Sequence, residues 1–254
     1  MGLFDFLKGK GSGGGKAEGD ERAVLRHAER VMDKRAMSPD RFASIEYLCR
    51  LATAEAWRAL LPRFNFAVDP SIQDREEKNY IFEAITGNPE NAVEPVEEFL
   101  RTAPSLTWPI KMLKSMLGAE DFVAELIEYL VTFDTGYEKN AERKGQIIAA
   151  LEEESDERIA EAVLPFLGDF SEDIRFHTVR TLVAQANAEG IARDALVKLL
   201  VDDQSARIRS TVVDGLADKG WTIDSAQKDA VAKVLVTVPN GRFSIGTDGK
   251  IARR

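Results

Sequence analysis

A repeat in the carboxyl-terminal third of the chain constrains its fold more than any other feature. The pattern Ile-Arg-x-x-(Thr or Val)-Val-x-x-Leu that begins at Ile174 begins again 34 residues later at Ile208. Each copy is followed by a second amphipathic segment, and these segments end at Leu200 and Leu235. A repeat of this length is typical of stacked helix pairs, because one pair cannot bury its apolar face without a neighbour. The sequence therefore predicts an all-α solenoid.

Two series of apolar residues continue this spacing back through the chain. Adjacent residues mark the first helix of each repeat, at Tyr47-Leu48, Ile81-Phe82, Met112-Leu113, Ile147-Ile148, Thr178-Val179 and Val212-Val213. Single residues mark the end of each second helix, at Phe64, Leu100, Leu130, Leu167, Leu200 and Leu235. A further apolar residue lies one turn away on the same helix face in both series. Six helix pairs are therefore predicted between residues 38 and 238.

The first 19 residues differ in composition from the rest. Six of the eleven residues from Gly9 to Gly19 are glycine, so residues 1–19 are predicted to form a flexible tail. An apolar tip precedes the glycines and contains Leu3, Phe4 and Phe6. Such a tip could dock weakly on a membrane surface or in a groove of a partner, or simply belong to the tail.

Local signals predict where the helices begin. Apolar residues at helical spacing predict a capping helix over residues 20–37, ahead of the repeats. Ser38 is followed by proline and aspartate, so it is predicted to be the N-cap of the first repeat helix. Ser155 follows a run of glutamates and is predicted to cap a later helix in the same way.

The last residues of the chain have the pattern of strands. Residues 239–254 alternate apolar and polar residues around an Asp-Gly pair, which predicts a β-hairpin. Two strands alone are marginally stable, so Phe243 or Ile245 is expected to pack on the last helix pair and cover its open end.

Charge and cysteine content limit the classes of function. The net charge is −9, and residues 69–169 contain 23 acidic and 9 basic residues. This charge repels phosphate backbones, which argues against nucleic acid as the main ligand and favours a basic partner.

Cys49 is the only cysteine, so there is no intramolecular disulfide, and its apolar neighbours predict a buried thiol. Without an apolar run of about 20 residues or a signal-peptide pattern, a cytoplasmic protein is expected.

The two carboxyl-terminal repeats resemble HEAT repeats, on the strength of the Ile-Arg pair, the central apolar pair and the leucine of the first helix. The similarity is clearest over residues 170–236 and weakest before residue 136, where Glu77 and Trp108-Pro109 replace the Ile-Arg pair. This resemblance implies a right-handed α-solenoid of about six HEAT-like helix pairs, with the second helices lining the concave wall. Most such proteins bind other proteins, and a minority resemble bilin lyases or DNA glycosylases.

No motif indicates catalysis, a metal site or a cofactor. Neither His27 nor His177 has a second histidine or a cysteine at metal-ligand spacing. His177 is predicted to be a solvated histidine on the polar side of its helix. The acidic run over residues 152–157 is predicted to be a solvated linker, and no serine lies in a Gly-x-Ser-x-Gly elbow. Neither a cofactor nor a metal ion is therefore expected.

The predicted binding surface is a stripe of outward residues on the second helices. Its charged candidates are Glu94, Glu98, Glu128, Glu161, Lys198 and Lys233. The stripe is acidic from the second to the fourth repeat, which suits a protein or peptide with a basic segment. A face that is charged only for solubility would also explain it. The leading hypothesis is a non-catalytic scaffold or adaptor; the alternative is an enzyme module resembling a bilin lyase or a DNA glycosylase, although a glycosylase needs a basic groove.

Overall fold

The computed structural model describes residues 16–138, 141–238 and 243–253. Thirteen α-helices and one two-stranded antiparallel sheet occur in these ranges. The prediction of a mostly helical chain that ends in a hairpin is therefore confirmed. The predicted tip with Leu3, Phe4 and Phe6 lies outside the described residues. The chain divides into two compact units, Met1–Ala103 and Pro104–Arg254.

The first unit contains five α-helices among its described residues. They are α1 (Lys16–Met32), α2 (Ser38–Leu51), α3 (Ala54–Leu60), α4 (Ser71–Thr86) and α5 (Pro89–Thr102). A 3₁₀ segment over Leu61–Asn65 extends α3. Helix α1 packs on α2, α2 packs on α4, and α3 packs on α5. Helix α1 corresponds to the predicted capping helix, but it begins at Lys16 instead of residue 20.

The second unit contains eight α-helices in the part of the chain that the structure describes. They are α6 (Thr107–Met116), α7 (Ala119–Leu130), α8 (Glu142–Glu152), α9 (Glu157–Val163), α10 (Glu172–Ala184), α11 (Glu189–Asp202), α12 (Ala206–Lys219) and α13 (Lys228–Leu235). A 3₁₀ segment over Leu164–Gly168 extends α9. Helices α6, α8, α10 and α12 pack each on the next, and so do α7, α9, α11 and α13.

The two predicted apolar series form most of the core of each unit. Every residue of the second-helix series, from Phe64 to Leu235, is buried. The first-helix series is buried except for Tyr47 and Phe82, which are half-buried. Tyr47 stacks on the ring of His27 with the ring centroids 4.0 Å apart, so α1 partly covers it. Burial of this apolar area stabilises the units by about 25 cal/mol per Å².

Two predicted N-caps are displaced by one residue. Met37, in extended conformation, is the residue before α2, and Ser38 already lies inside the helix. The serine prediction was wrong because the Met37 carbonyl already accepts the Arg41 N–H at 3.0 Å, so the helical hydrogen bonds begin one residue earlier. Asp156, not Ser155, caps α9 and accepts a hydrogen bond from the backbone N–H of Arg158 at 2.9 Å. Hydrogen bonds from the Arg158 side chain and backbone lower the pKa of Asp156 to about 2.

The carboxyl-terminal hairpin packs on the last two helices. Its strands are β1 (Phe243–Ile245) and β2 (Ile251–Arg253). Strand β1 contacts α13 and β2 contacts α12. Phe243 and Ile245 were expected to pack on the last helix pair, and their strand does contact α13; both side chains are half-buried, and Ile251 of β2 is the buried strand residue. Just before the second strand, the Gly249 carbonyl accepts the N–H of Ile223, in the segment that follows α12, at 2.9 Å. A side chain at Gly249 would lie 2.6 Å from the Ile223 oxygen, and its φ is +81°, so glycine is required there.

Candidate functional site

The four predicted site residues of the second unit all lie on its surface. Glu128, Glu161, Lys198 and Lys233 are exposed, on α7, α9, α11 and α13 respectively. Each of these helices packs on the next one in the series, so the four residues come from consecutive neighbours. Glu161, Lys198 and Lys233 make no hydrogen bond or ion pair with any described residue. The fold therefore leaves their charges to solvent or to a partner.

The two predicted site residues of the first unit instead bind an arginine of their own fold. Arg58 Nε on α3 donates to Glu98 Oε2 on α5 at 2.7 Å, and Arg58 Nη2 donates to Glu98 Oε1 at 2.8 Å. Glu94 Oε2 lies 3.3 Å from the same Nη2. The hydrogen bonds from Arg58 to Glu98 are the main cause that raises the pKa of Arg58. Glu94 and Glu98 thus link α5 to α3, and their charge is partly neutralised.

A buried ionic network at the centre of the first unit was not predicted. Glu77 on α4 is 1% exposed, and Arg41 and Arg63 are 2% and 0% exposed. Arg41 Nε is 2.9 Å from both Glu77 oxygens, and Arg63 Nε and Nη2 donate to Glu77 Oε2 at 2.9 and 2.8 Å. Arg63 Nη2 also donates to Asp74 Oδ1 at 2.8 Å. The only sequence signal was that Glu77 occupies a position where the later repeats have isoleucine.

In the second unit, an ion pair between one basic residue and one aspartate occurs at the same place in two successive repeats. Lys144 Nζ on α8 lies 2.7 Å from Asp169 Oδ2, and both side chains are fully buried. Arg175 Nε on α10 lies 2.7 Å from Asp203 Oδ2, and Asp203 follows Asp169 by 34 residues. Each aspartate also accepts the backbone N–H two residues further on, at 2.8 Å. These pairs join the first helix of a repeat to the end of its second helix, so we assign them a structural role.

A groove with a volume of about 570 Å³ lies between α8 and α10. It is lined by Ala141, Glu142, Gly145, Gln146, Ala149, Ser171, Asp173, Ile174 and His177. His177 is half-buried instead of solvated as predicted, because its helix α10 packs on α8. Burial lowers the pKa of His177, which favours the neutral ring. Its buried Nδ1 has no hydrogen-bond partner among the residues that the structure describes, and Asp173 is paired with Arg207 at 2.5 Å. His177 and Asp173 therefore make no hydrogen bond with each other in this groove.

An aromatic pair projects from the surface of the second unit. Tyr137 and Phe170 are 75% and 68% exposed, and their rings meet edge to face with centroids 5.4 Å apart. The Phe170 N–H donates to the Thr135 carbonyl at 2.9 Å, which holds the two segments together. Exposed apolar groups that are held in place often mark contact surfaces for other macromolecules.

The comparisons with known proteins give no further guidance. No protein-family model matches the chain, and searches of curated proteins and of solved structures give no match either. Among the described residues, no group of three or more His, Cys, Asp and Glu side chains could hold a metal ion. None of the helices described is long and apolar enough to cross a bilayer. The candidate site must therefore be judged from its own residues.

Proposed function

We propose that this chain is a HEAT-like α-solenoid that acts as a non-catalytic scaffold or adaptor. Two observations in the second unit favour a solenoid. First helices pack on first helices and second helices on second helices, as stacked repeats require. The Lys144–Asp169 and Arg175–Asp203 pairs also recur at corresponding places in successive repeats.

We place the partner on the second helices of the second unit, at Glu128 and Glu161. The exposure of both glutamates on two helices that pack together carries this proposal. Packed helices lie about 8–10 Å apart, so the two carboxylates present negative charge at about that spacing. An extended segment rises about 3.3 Å per residue, so basic residues about three positions apart would match it. The partner is therefore a protein or peptide with basic residues at that interval.

Glu94 and Glu98 have a different place in this proposal. Because they hold Arg58, a partner would have to compete with an internal ion pair. Charge reversal at either residue would also break a contact between α3 and α5, which would confuse loss of binding with loss of stability. Glu161, which makes no hydrogen bond or ion pair with a described residue, is therefore the better test position, and it is changed together with the exposed Glu128 on the neighbouring helix.

The experiment compares two doubly reversed variants in affinity capture from native lysate. Glu128→Lys/Glu161→Lys should slow association with the captured basic protein several-fold, since long-range charge acts mainly on association rates. Glu29→Lys/Glu83→Lys, which changes exposed glutamates on α1 and α4, should leave the rate near that of the wild type. The wild-type rate should fall as added salt shortens the Debye length below about 8 Å. Equal capture by both variants would contradict the proposed site.

A further inference from the structure

The exposed aromatic pair of Tyr137 and Phe170 is fixed to the fold through its backbone. Tyr137 lies in the segment between α7 and α8, and Phe170 lies just ahead of α10. The Phe170 N–H donates to the Thr135 carbonyl at 2.9 Å, and the Phe170 carbonyl accepts a hydrogen bond from Arg175 Nη1 at 3.2 Å. Both aromatic side chains are nevertheless largely exposed, so another molecule has open access to them.

Half-buried aromatic rings elsewhere in the chain carry a cation that the chain itself supplies. Lys34 Nζ lies 5.1 Å from the ring centroid of Phe66, and the guanidinium carbon of Arg207 lies 3.7 Å from that of Phe176. Among the described residues, no lysine or arginine lies over either ring of the aromatic pair. The faces of these more exposed rings are therefore open to a cation from outside the chain.

Acidic side chains flank the aromatic pair. Glu138 follows the first ring directly in the sequence, and Glu172 lies two residues after the second. Glu138 Oε2 is 3.7 Å from Lys144 Nζ, and Glu172 Oε1 is 3.9 Å from Arg207 Nη1, so both distances are too long for a hydrogen bond. Both glutamates are exposed. The negative charge beside the rings favours a cationic ligand over a neutral apolar one.

We propose that the aromatic pair binds an arginine side chain of another protein. The two rings meet at 88°, so the ring whose edge points at its neighbour keeps both of its faces clear of that neighbour. A planar guanidinium can stack on such a face while its N–H groups donate to the flanking carboxylates. A lysine ammonium is compact and strongly hydrated and has no flat surface to stack, so arginine is preferred. This site does not depend on the partner proposed for Glu128 and Glu161, because a short peptide is enough to test it.

The test titrates the full chain with the peptide acetyl-Gly-Gly-Arg-Gly-Gly-amide at constant ionic strength and follows the protein by NMR spectroscopy. The ring resonances of Tyr137, assigned by their loss in Tyr137→Leu, should shift saturably. Those of Tyr80, a ring of the first unit that packs on Phe42, should stay in place. A peptide with lysine in place of arginine should bind more weakly, and one with methionine should leave the Tyr137 resonances unshifted.

Three variants separate the contribution of the rings from that of their surroundings. Phe170→Leu keeps an apolar side chain and the backbone hydrogen bonds, and it should weaken binding of the arginine peptide about two- to fivefold through loss of one exposed cation–π contact. Val131→Leu, an exposed apolar change at the end of α7, should bind the peptide like the wild type. Lys139 lies outside the described residues, and Lys139→Gln should also bind the peptide like the wild type.

Four results would overturn the proposal. The first is the lack of a saturable shift at Tyr137, and the second is equal affinity for the arginine and methionine peptides, which would indicate an apolar contact. The third is equal affinity of Phe170→Leu and the wild type. The fourth is binding that appears only in Lys139→Gln, since the lysine of the chain itself would then occupy the rings.

Discussion

Replacing Glu77 by glutamine should destabilise the first unit more than any surface substitution. The carboxylate is 1% exposed and lies between two arginines that are themselves at most 2% exposed. Glutamine preserves the volume but removes the negative charge that both guanidinium groups share through hydrogen bonds of 2.8–2.9 Å. Of the two arginines, only Arg63 is also paired with Asp74, so Arg41 loses its anionic partner completely. Breaking a buried ion pair on one side costs about 3–5 kcal/mol.

The magnitude can be measured by urea and thermal denaturation of the full chain. In a unit of about 100 residues each kcal/mol corresponds to at least about 4 °C, so the first unit should melt about 12 °C lower or more. Hydrogen exchange followed by mass spectrometry should show faster exchange in α2 and α4, which carry Arg41 and Glu77. Glu76→Gln changes the exposed neighbour of Glu77 and should stay within about 0.5 kcal/mol of the wild type. A Glu77→Gln variant as stable as Glu76→Gln would refute the reasoning.

Three further outcomes are expected. Lys144→Met should lower the melting temperature because it leaves the Asp169 carboxylate buried without a cation, and Lys144→Met/Asp169→Leu should recover most of the loss. Burial alone would raise the pKa of Asp74, but hydrogen bonds from its basic neighbours outweigh burial and lower it. The ionised Asp74 therefore stabilises the fold above the unfolded pKa of about 3.9, and this stabilisation is lost as pH falls through the folded pKa. Urea midpoints from about pH 6 to about pH 2 should therefore fall less in Asp74→Asn. Burial raises the pKa of Cys49 to about 12, so dithiobis(nitrobenzoate) should react with it at about pH 8 only after unfolding.

The positions of the helices could be predicted because packing requires apolar residues at regular intervals. Leu100, Leu130 and Leu200 were assigned to the ends of second helices from spacing alone, and all three are fully buried. The hairpin could be predicted from its Asp-Gly turn, since that turn needs a positive φ that Gly249 supplies. In both cases the information is local, so the sequence carries it directly.

Contacts between side chains of different helices could not be predicted in the same way. The two arginines that meet Glu77 are 36 and 14 residues away from it, and only the fold brings them together. Arg58 and Glu98 are 40 residues apart in the sequence. Their hydrogen bonds show that Glu98, a predicted binding residue, connects α5 to α3. Such pairs depend on which side chains each helix turns toward its neighbours. The spacing of apolar residues defines that facing side only to within a few residues.

Photo-crosslinking from single positions tests the proposed binding surface most directly. In one variant a photoreactive amino acid replaces Glu161 on α9, and in the control variant it replaces the exposed Glu83 on α4. The crosslinked peptides are identified by mass spectrometry. If the second helices bind the partner, position 161 should crosslink to one protein, in a segment with basic residues about three positions apart, and position 83 should not. Crosslinks to that protein from position 83 but not from position 161 would contradict the assignment of the binding surface to the second helices.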